Sequence, residues 1–193
     1  MEYLIKTKAI GGMSEEQFFR FCQENDTMRF ERNAVGDIIL TEPTGSITGW
    51  YNMNIGTDLN IWNRQKNLGY VFDSNTGFTL PNKAVRSPDV AFIKKERWEK
   101  ISPDDQKRFA HICPDFIIEL VSETDNEKAS QEKMKEWIDN GCLLAWMIDP
   151  LKKETLIYRR NCETETRAFS KLLNGEGVLP GFALDLRRIF TEN

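Results

Sequence analysis

Two acidic residues lie where a carboxylate is costly. Asp89 stands at the beginning of the apolar run in residues 87–93 (SPDVAFI), and Glu119 lies inside the apolar run of residues 116–121 (FIIELV). A carboxylate in an apolar strand is unfavourable unless a cation, hydrogen-bond donors or water meet it. Two such carboxylates indicate one shared cation. A divalent metal held by Asp and Glu oxygens, with water completing its shell, is typical of phosphoryl chemistry.

The spacing of the acids decides which of them can act together. Asp115 and Glu119 are four residues apart on one predicted strand, so they lie about 13 Å apart at ~3.3 Å per residue. Neighbouring strands are only about 4.8 Å apart, so Asp89 and Glu119 can converge from different strands. Asp115 is better interpreted as a residue at the start of a strand or in a turn.

Two further residues have two interpretations each. Glu31 lies in a strand that alternates apolar and charged residues, so it is either a third acid of the site or a surface glutamate on a hairpin. Lys133 lies beside the apolar stripe of a predicted helix, four residues before Trp137. Lys133 either points back towards the strand ends or is a solvated lysine paired with Glu132 or Glu136.

Local patterns predict the elements that would position these residues. A capping box at residues 14–17 predicts a helix to about residue 25. A strand, a helix and a second strand over residues 115–149 predict a crossover with parallel pairing, in which residues 122–125 cap the helix and Gly141 closes it. The other predicted elements are a hairpin over 28–41, a helix over 46–67, strands 70–73 and 77–80 around a turn, a strand over 89–93, an edge-like strand over 155–158 and a strand over 168–172.

Composition fits one folded domain over residues 1–193. Forty per cent of the chain is hydrophobic, and 29% is charged. The net charge of -4 argues against strong passive binding to nucleic acid, which needs many cationic contacts to phosphate. It leaves room for an enzyme with a local basic rim. Candidates for that rim are Lys94, Lys95, Arg97, Lys152, Lys153, Arg159 and Arg160, which are equally well interpreted as ordinary solvated charges.

The cysteines and the single histidine argue against a zinc site. Cys22, Cys113, Cys142 and Cys162 are far apart, and zinc needs clustered ligands. Reduced thiols, no apolar stretch near the roughly 20 residues of a membrane span and no visible secretory signal together predict a cytoplasmic protein without a membrane segment.

Several segments occur in the order seen in a known family. They are residues 86–92 (RSPDVAF), 113–122 (CPDFIIELVS), 133–141 (KMKEWIDNG) and 146–150 (WMIDP), with 43–45 (PTG), 69–78 (GYVFDSNTGF) and 178–182 (VLPGF). Together they resemble the putative restriction endonuclease family of bacteria, in the PD-(D/E)XK nuclease superfamily. The resemblance extends over roughly residues 18–189.

The resemblance implies a mixed α/β (α+β) fold: a restriction-endonuclease-like core whose mixed sheet is flanked by helices, with an N-terminal helix and hairpin. Asp89 and Glu119 would be the two motif acids. The superfamily lysine normally stands two residues after the second acid, where this chain has Val121. Lys133 is the position that fits a lysine supplied by the following helix. Some family members have a histidine directly after the segment that matches residues 43–45; here residues 46–48 are SIT, so no histidine role is carried over.

Further consequences of the resemblance concern the cofactor and the partners. Asp89, Glu119 and the Leu120 carbonyl would bind Mg²⁺ or Mn²⁺, and Glu31 would hold a second metal or a metal-bound water. The substrate would be nucleic acid, with DNA favoured. By analogy with nucleases that cut two strands, the protein would be a homodimer.

Three other interpretations remain open from the sequence alone. The chain would be a catalytically inactive nuclease-fold protein that binds DNA or a protein, or a metal-dependent phosphoesterase acting on a small nucleotide. In the third, Asp89 and Glu119 are strand-end residues held by backbone hydrogen bonds.

Overall fold

The computed structural model describes residues 2–123 and 125–190, which form two main sheets and their helices. The helices are α1 (Glu15–Glu24), α2 (Ser46–Lys66), α3 (Lys95–Trp98), α4 (Pro103–Gln106) and α5 (Glu127–Asp139), with 3-10 turns at Lys8–Ile10 and Leu186–Arg188. The strands are β1 (Glu2–Ile5), β2 (Arg29–Arg32), β3 (Ile38–Thr41), β4 (Gly69–Asp73), β5 (Phe78–Thr79), β6 (Val85–Arg86), β7 (Val90–Lys94), β8 (Phe116–Leu120), β9 (Leu144–Asp149), β10 (Glu154–Arg159), β11 (Glu165–Ala168), β12 (Leu173–Asn174) and β13 (Ala183–Leu184).

The larger sheet is mixed, as predicted. Its order is β11-β10-β9-β8-β7-β4, in which β8 and β9 pair in parallel and every other neighbouring pair is antiparallel. Helix α5 connects β8 to β9, so the predicted crossover is confirmed. The second sheet, β1-β3-β2-β6-β5, is antiparallel throughout. It contains the predicted hairpin as β2 and β3.

The larger sheet separates two hydrophobic clusters. Alternate residues of a strand point to opposite faces, so Val90 packs with α2 on one face and Ala91 packs with α5 on the other. Ile117 of β8 belongs to the α5 side as well. Glu119, two residues further on, therefore points to the α5 face of the sheet.

Register explains how the two predicted acids come to the same end of the sheet. Val90 pairs with Ile118 in the antiparallel β7–β8 ladder. Extending that register by one residue places Asp89, which directly precedes β7, opposite Glu119. The strand pairing thus brings the two carboxylates to the same end of the sheet.

Several local predictions are confirmed. Residues 70–73 and 77–80 were predicted as strands around a turn, and β4 and β5 form there; β4 pairs with β7, and β5 pairs with β6 in the other sheet. In the turn, the Asp73 carboxylate accepts the Asn75 N–H. After the turn, the chain leaves the larger sheet and enters the second sheet at β5. Helix α1 begins at its predicted capping box, with reciprocal Ser14 and Gln17 hydrogen bonds of 3.2 and 2.8 Å.

The C-terminal half contains three corrections. Residues 122–125 were predicted to cap α5, but the cap is Asn126, whose side chain accepts the Ala129 N–H. Thr124, one residue of the predicted cap, lies outside the described residues. Strand β10 is not an edge strand, because β11 pairs with its outer side. The strand predicted over 168–172 is replaced by β11, which ends at Ala168, and β12, which begins at Leu173.

Within residues 2–123 and 125–190, no helix combines the length and the apolar character needed to cross a membrane. Helix α2 is long enough, with 21 residues, but it contains polar side chains and two glycines. Its buried face is limited to Ile55, Leu59, Trp62 and Asn63.

Candidate functional site

Asp89 is held by two donors from different elements. Its Oδ2 accepts the backbone N–H of Leu120 at 2.8 Å, and its Oδ1 accepts Asn52 Nδ2 of α2 at 2.9 Å. The first bond ties Asp89 to the residue directly after Glu119. Burial raises the pKa of Asp89 above its usual range, while the Leu120 N–H opposes that change.

Glu119 accepts two hydrogen bonds on one oxygen. Lys133 Nζ lies 3.0 Å from Glu119 Oε1, and Trp137 Nε1 donates to the same oxygen at 3.1 Å. Burial raises the pKa of Glu119 to about 7; the charges of Asp89 and Glu31 also raise it, and Lys133 opposes them. Asp89 is therefore near enough to Glu119 for its charge to raise the pKa of Glu119.

Lys133 lies between two carboxylates. Its Nζ is 3.2 Å from Glu31 Oε1 as well as 3.0 Å from Glu119 Oε1. Burial alone would lower the pKa of Lys133, but the two glutamates outweigh burial and raise it, so the ammonium is charged at neutral pH. The structure thus shows a lysine directed at the strand ends, and the solvated pairing with Glu132 or Glu136 is not formed.

Glu31 is a buried residue, 4% exposed, and not a surface glutamate. Its Oε1 accepts the Ser87 N–H at 2.9 Å, and its Oε2 lies 2.9 Å from an Arg86 guanidinium nitrogen. Although burial alone would raise the pKa of Glu31, Lys133 and Arg86 lower it to about 2. Since both oxygens already accept hydrogen bonds, the geometry suits Glu31 to holding Lys133 and Arg86 in place.

Three polar residues of the site were not selected from the sequence for a role in it. Asn52 holds Asp89, Trp137 holds Glu119, and Arg86 joins Glu31 to Glu136, with its Nε 2.6 Å from Glu136 Oε2. Trp137 had a visible signal, because it lies one helical turn after Lys133 and so shares its face of α5. Asn52 and Arg86 had none, because their contacts arise only when α2 and the second sheet pack.

The oxygen donors at this end of the sheet suit a hard divalent cation. The Leu120 N–H points to Asp89, and in a β-strand the carbonyl of a residue points to the same side as its N–H. The next residue, Val121, donates to Ile148 on the opposite side at 2.9 Å. The Leu120 carbonyl therefore faces the side where Asp89 lies.

Two observations bear on how such a cation would be held. Asn52 Oδ1 is buried with no hydrogen-bond partner among the described residues, beside the carboxylate of Asp89. The described part of the chain holds no group of three or more His, Cys, Asp and Glu side chains arranged as a metal site. Two carboxylates and a carbonyl would leave room for several waters, the kind of coordination that suits Mg²⁺.

A cleft of about 840 Å³ opens along α5 beside Glu119. Three of its lining residues are cationic and four are acidic, so the cleft is not basic overall. The predicted basic rim does not line it; Arg97, for example, pairs with the buried Asp115 at 3.0 Å. The charged lining residues are Arg86, Lys128 and Lys133 with Glu119, Asp125, Glu132 and Glu136.

A mixed sheet flanked by helices, with two acids and a lysine at one end, defines a protein of the restriction-endonuclease-like fold. Residues 15–187 match the Uma2 family, described as "Putative restriction endonuclease", and the chain belongs to this family. Family membership and fold together support a nuclease.

Among solved structures, one similar chain is a "putative nuclease belonging to DUF820 from Anabaena variabilis ATCC 29413", determined at 1.96 Å resolution. The two chains are 18% identical, and the match covers 83% of this chain and 89% of the other, with a TM-score of 0.71. At this identity the similarity shows the fold alone. Comparison with curated proteins gives no match.

Proposed function

We propose that the protein is a Mg²⁺- or Mn²⁺-dependent endonuclease that hydrolyses phosphodiester bonds of nucleic acid. One observation carries the proposal: Asp89, Glu119 and Lys133 come from three separate elements to one end of the larger sheet, where Glu119 and Lys133 line a cleft. Hydrogen bonds of 2.8 to 3.0 Å connect Asp89 to Leu120 and Glu119 to Lys133. DNA as the preferred substrate, a homodimer and a cytoplasmic location remain predictions from the sequence.

Asp89, Glu119 and the Leu120 carbonyl are the proposed metal ligands. A divalent cation bound there supplies a Lewis acid that polarises the phosphate and makes water more acidic. Asn52 orients Asp89 through its amide, and its Oδ1, which has no partner among the described residues, can accept a hydrogen bond from water at the site. The carboxylates thus enter the reaction already held in one orientation.

Lys133 is the proposed cationic residue of the reaction. Its ammonium stabilises negative charge that develops on the phosphate or orients the attacking water. Glu31 keeps Lys133 charged and aimed at Glu119. In place of the predicted role of Glu31 as a ligand of a second metal, we propose that it positions Lys133.

The first prediction concerns cleavage. Asp89→Asn, Glu119→Gln and Lys133→Met should each lower Mg²⁺-dependent cleavage of plasmid and single-stranded DNA by about 100-fold or more, because each removes a group that stabilises charge in the transition state. The rate of plasmid cleavage is measured on a gel as the conversion of supercoiled plasmid. Both DNA forms are needed because the structure does not distinguish them.

Matched controls separate loss of chemistry from loss of fold. Lys135 and Asp139 are exposed on the same helix as Lys133. Lys135→Met and Asp139→Asn should keep the wild-type rate within about twofold, as surface substitutions generally perturb little. Cleavage that survives both Asp89→Asn and Glu119→Gln would refute the proposed centre.

A second candidate function is a catalytically inactive nuclease-fold protein that binds DNA or a protein. It is favoured by the absence, among the described residues, of a cluster of three or more metal-ligating side chains. Calorimetry with Mn²⁺ discriminates the two. Saturable binding that Glu119→Gln abolishes supports the enzyme, whereas no binding to the intact wild type supports the binding module.

A further inference from the structure

We infer that Trp137 is a positioning residue for Glu119: its indole N–H fixes the carboxylate so that Oε2 is left for the cation. This inference rests on the proposed function. Trp137 is fully buried against the larger sheet, and Nε1 donates to Glu119 Oε1 at 3.1 Å. An indole nitrogen is a donor only, so this bond has one possible direction.

Both donors to Glu119 meet the same oxygen. Lys133 and Trp137 are one helical turn apart on α5, and both reach Oε1. Among the described residues, no hydrogen bond ends on Oε2. Glu119 also lines the cleft, so we take Oε2 as the oxygen that is available to a cation there.

A neutral donor suits this position. A second lysine in place of Trp137 would hold Glu119 equally well, but its charge would repel a divalent cation. The indole orients the carboxylate without neutralising it. Its ring is surrounded by the apolar cluster on the α5 face of the sheet, which keeps the N–H from turning away.

The chain offers a matched tryptophan for comparison. Trp146 is also fully buried, but it lies in the cluster on the other face of the sheet. Its Nε1 has no hydrogen-bond partner among the described residues. Replacing either tryptophan with phenylalanine removes similar packing, whereas only the change at Trp137 removes a hydrogen bond to Glu119.

The test, and the second prediction, compares Mn²⁺ affinity in the intact protein. Trp137→Phe should weaken Mn²⁺ binding, measured by calorimetry, by about 10-fold or more, the scale typical of losing a residue that orients a metal ligand. Trp146→Phe should stay within about twofold of wild type. Equal weakening in both variants, or none in Trp137→Phe, would overturn the inference and leave the proposed function standing.

A second measurement needs no folded Trp137 variant. The five tryptophans give five indole N–H signals in a nitrogen-15 NMR spectrum, and phenylalanine variants of the other four identify that of Trp137 by elimination. Adding Mg²⁺ to the wild type should shift the Trp137 signal and leave that of Trp146 in place. Binding of Mg²⁺ with no shift at Trp137 would overturn the inference alone, whereas no binding by the wild type would overturn the proposed function and this inference with it.

Discussion

At the scale of single residues, two glutamates share one lysine and yet ionise very differently. Glu31 and Glu119 both contact Lys133, but the pKa of Glu31 is about 2 and that of Glu119 is about 7. Burial raises both. Glu31 has Arg86 and the Ser87 N–H as further partners, whereas Glu119 has only a neutral indole and the repulsion of Asp89. The group with the raised pKa is the one beside the cleft.

The third prediction follows from the sign of that change. An unfolded glutamate ionises near pH 4.5, while folded Glu119 keeps its proton up to about pH 7, so folding loses stability as pH rises between those values. Without divalent cations, Glu119→Gln should be more stable than wild type at pH 8 by about 3 kcal/mol, and equally stable near pH 4. Urea unfolding in EDTA at both pH values measures this difference.

The exposed Glu132 gives the control. Glu132→Gln, on the same helix, should show no such pH-dependent gain. A Glu119→Gln protein that is no more stable than wild type at pH 8 would show that the Glu119 carboxylate is not destabilising in the folded protein.

At the scale of elements, helix α5 places a cation beside Glu119. The position two residues after Glu119 is Val121, and the cation comes instead from Lys133 in the helix that follows. The strand pairing places the acids, whereas helix packing places their partners. Positions of the acids therefore depend on register, and positions of Lys133 and Trp137 depend on how α5 lies on the sheet.

The fourth prediction tests the contact that fixes the edge of the sheet. A Cβ at Gly69 of β4 would lie 2.1 Å from the Ile93 carbonyl oxygen and 2.5 Å from the Phe92 ring. Gly69→Ala should destabilise the protein by about 1–3 kcal/mol, because the pairing of β4 with β7 must shift. Thermal unfolding measures the loss.

Gly49 is the natural comparison. It lies in α2 with nothing within 4 Å of a built Cβ. Gly49→Ala should stabilise the protein by about 0.5–1 kcal/mol, since alanine favours the helix. If both alanine variants had the same stability, close packing at Gly69 would not be limiting.

The sequence revealed the acids and the crossover because these depend on local regularities. Glu119 interrupts an apolar strand, and residues 115–149 contain the strand, helix and strand of a parallel unit. It did not reveal β6, which has two residues and forms only by pairing with β2 and β5. It also did not assign roles to Asn52 and Arg86, whose significance arises from contacts 37 and 50 residues away along the chain.

At the scale of the whole molecule, the two sheets meet through buried charges. Glu31 and Arg86 belong to the second sheet, Glu119 belongs to the larger sheet, and Lys133 bridges them from α5. Breaking a buried pair such as Glu31 with Arg86 by removing one partner generally costs several kcal/mol. The site is therefore also part of what holds the sheets together.

The fifth prediction concerns binding to nucleic acid. The chain carries a net charge of -4, and the cleft has four acidic and three cationic lining residues, so DNA should bind weakly in EDTA. Ca²⁺, a hard cation that takes oxygen ligands, should increase the affinity by about 10-fold or more by offsetting the acids. Fluorescence anisotropy of a labelled duplex at fixed salt measures both affinities.

The combined Asp89→Asn and Glu119→Gln variant is the control, and it should lose the calcium effect. Equal affinity in EDTA and in Ca²⁺ would show that the protein holds DNA through a surface away from these acids.

The lysine on a helix has a consequence for how related centres are recognised. A search along the chain for an acid followed two positions later by lysine would pass over this protein, because valine occupies that place. Chains that look defective by such a test can still assemble the full set of groups once folded. Deciding whether a family member has lost its chemistry therefore requires comparing where its charges lie in three dimensions.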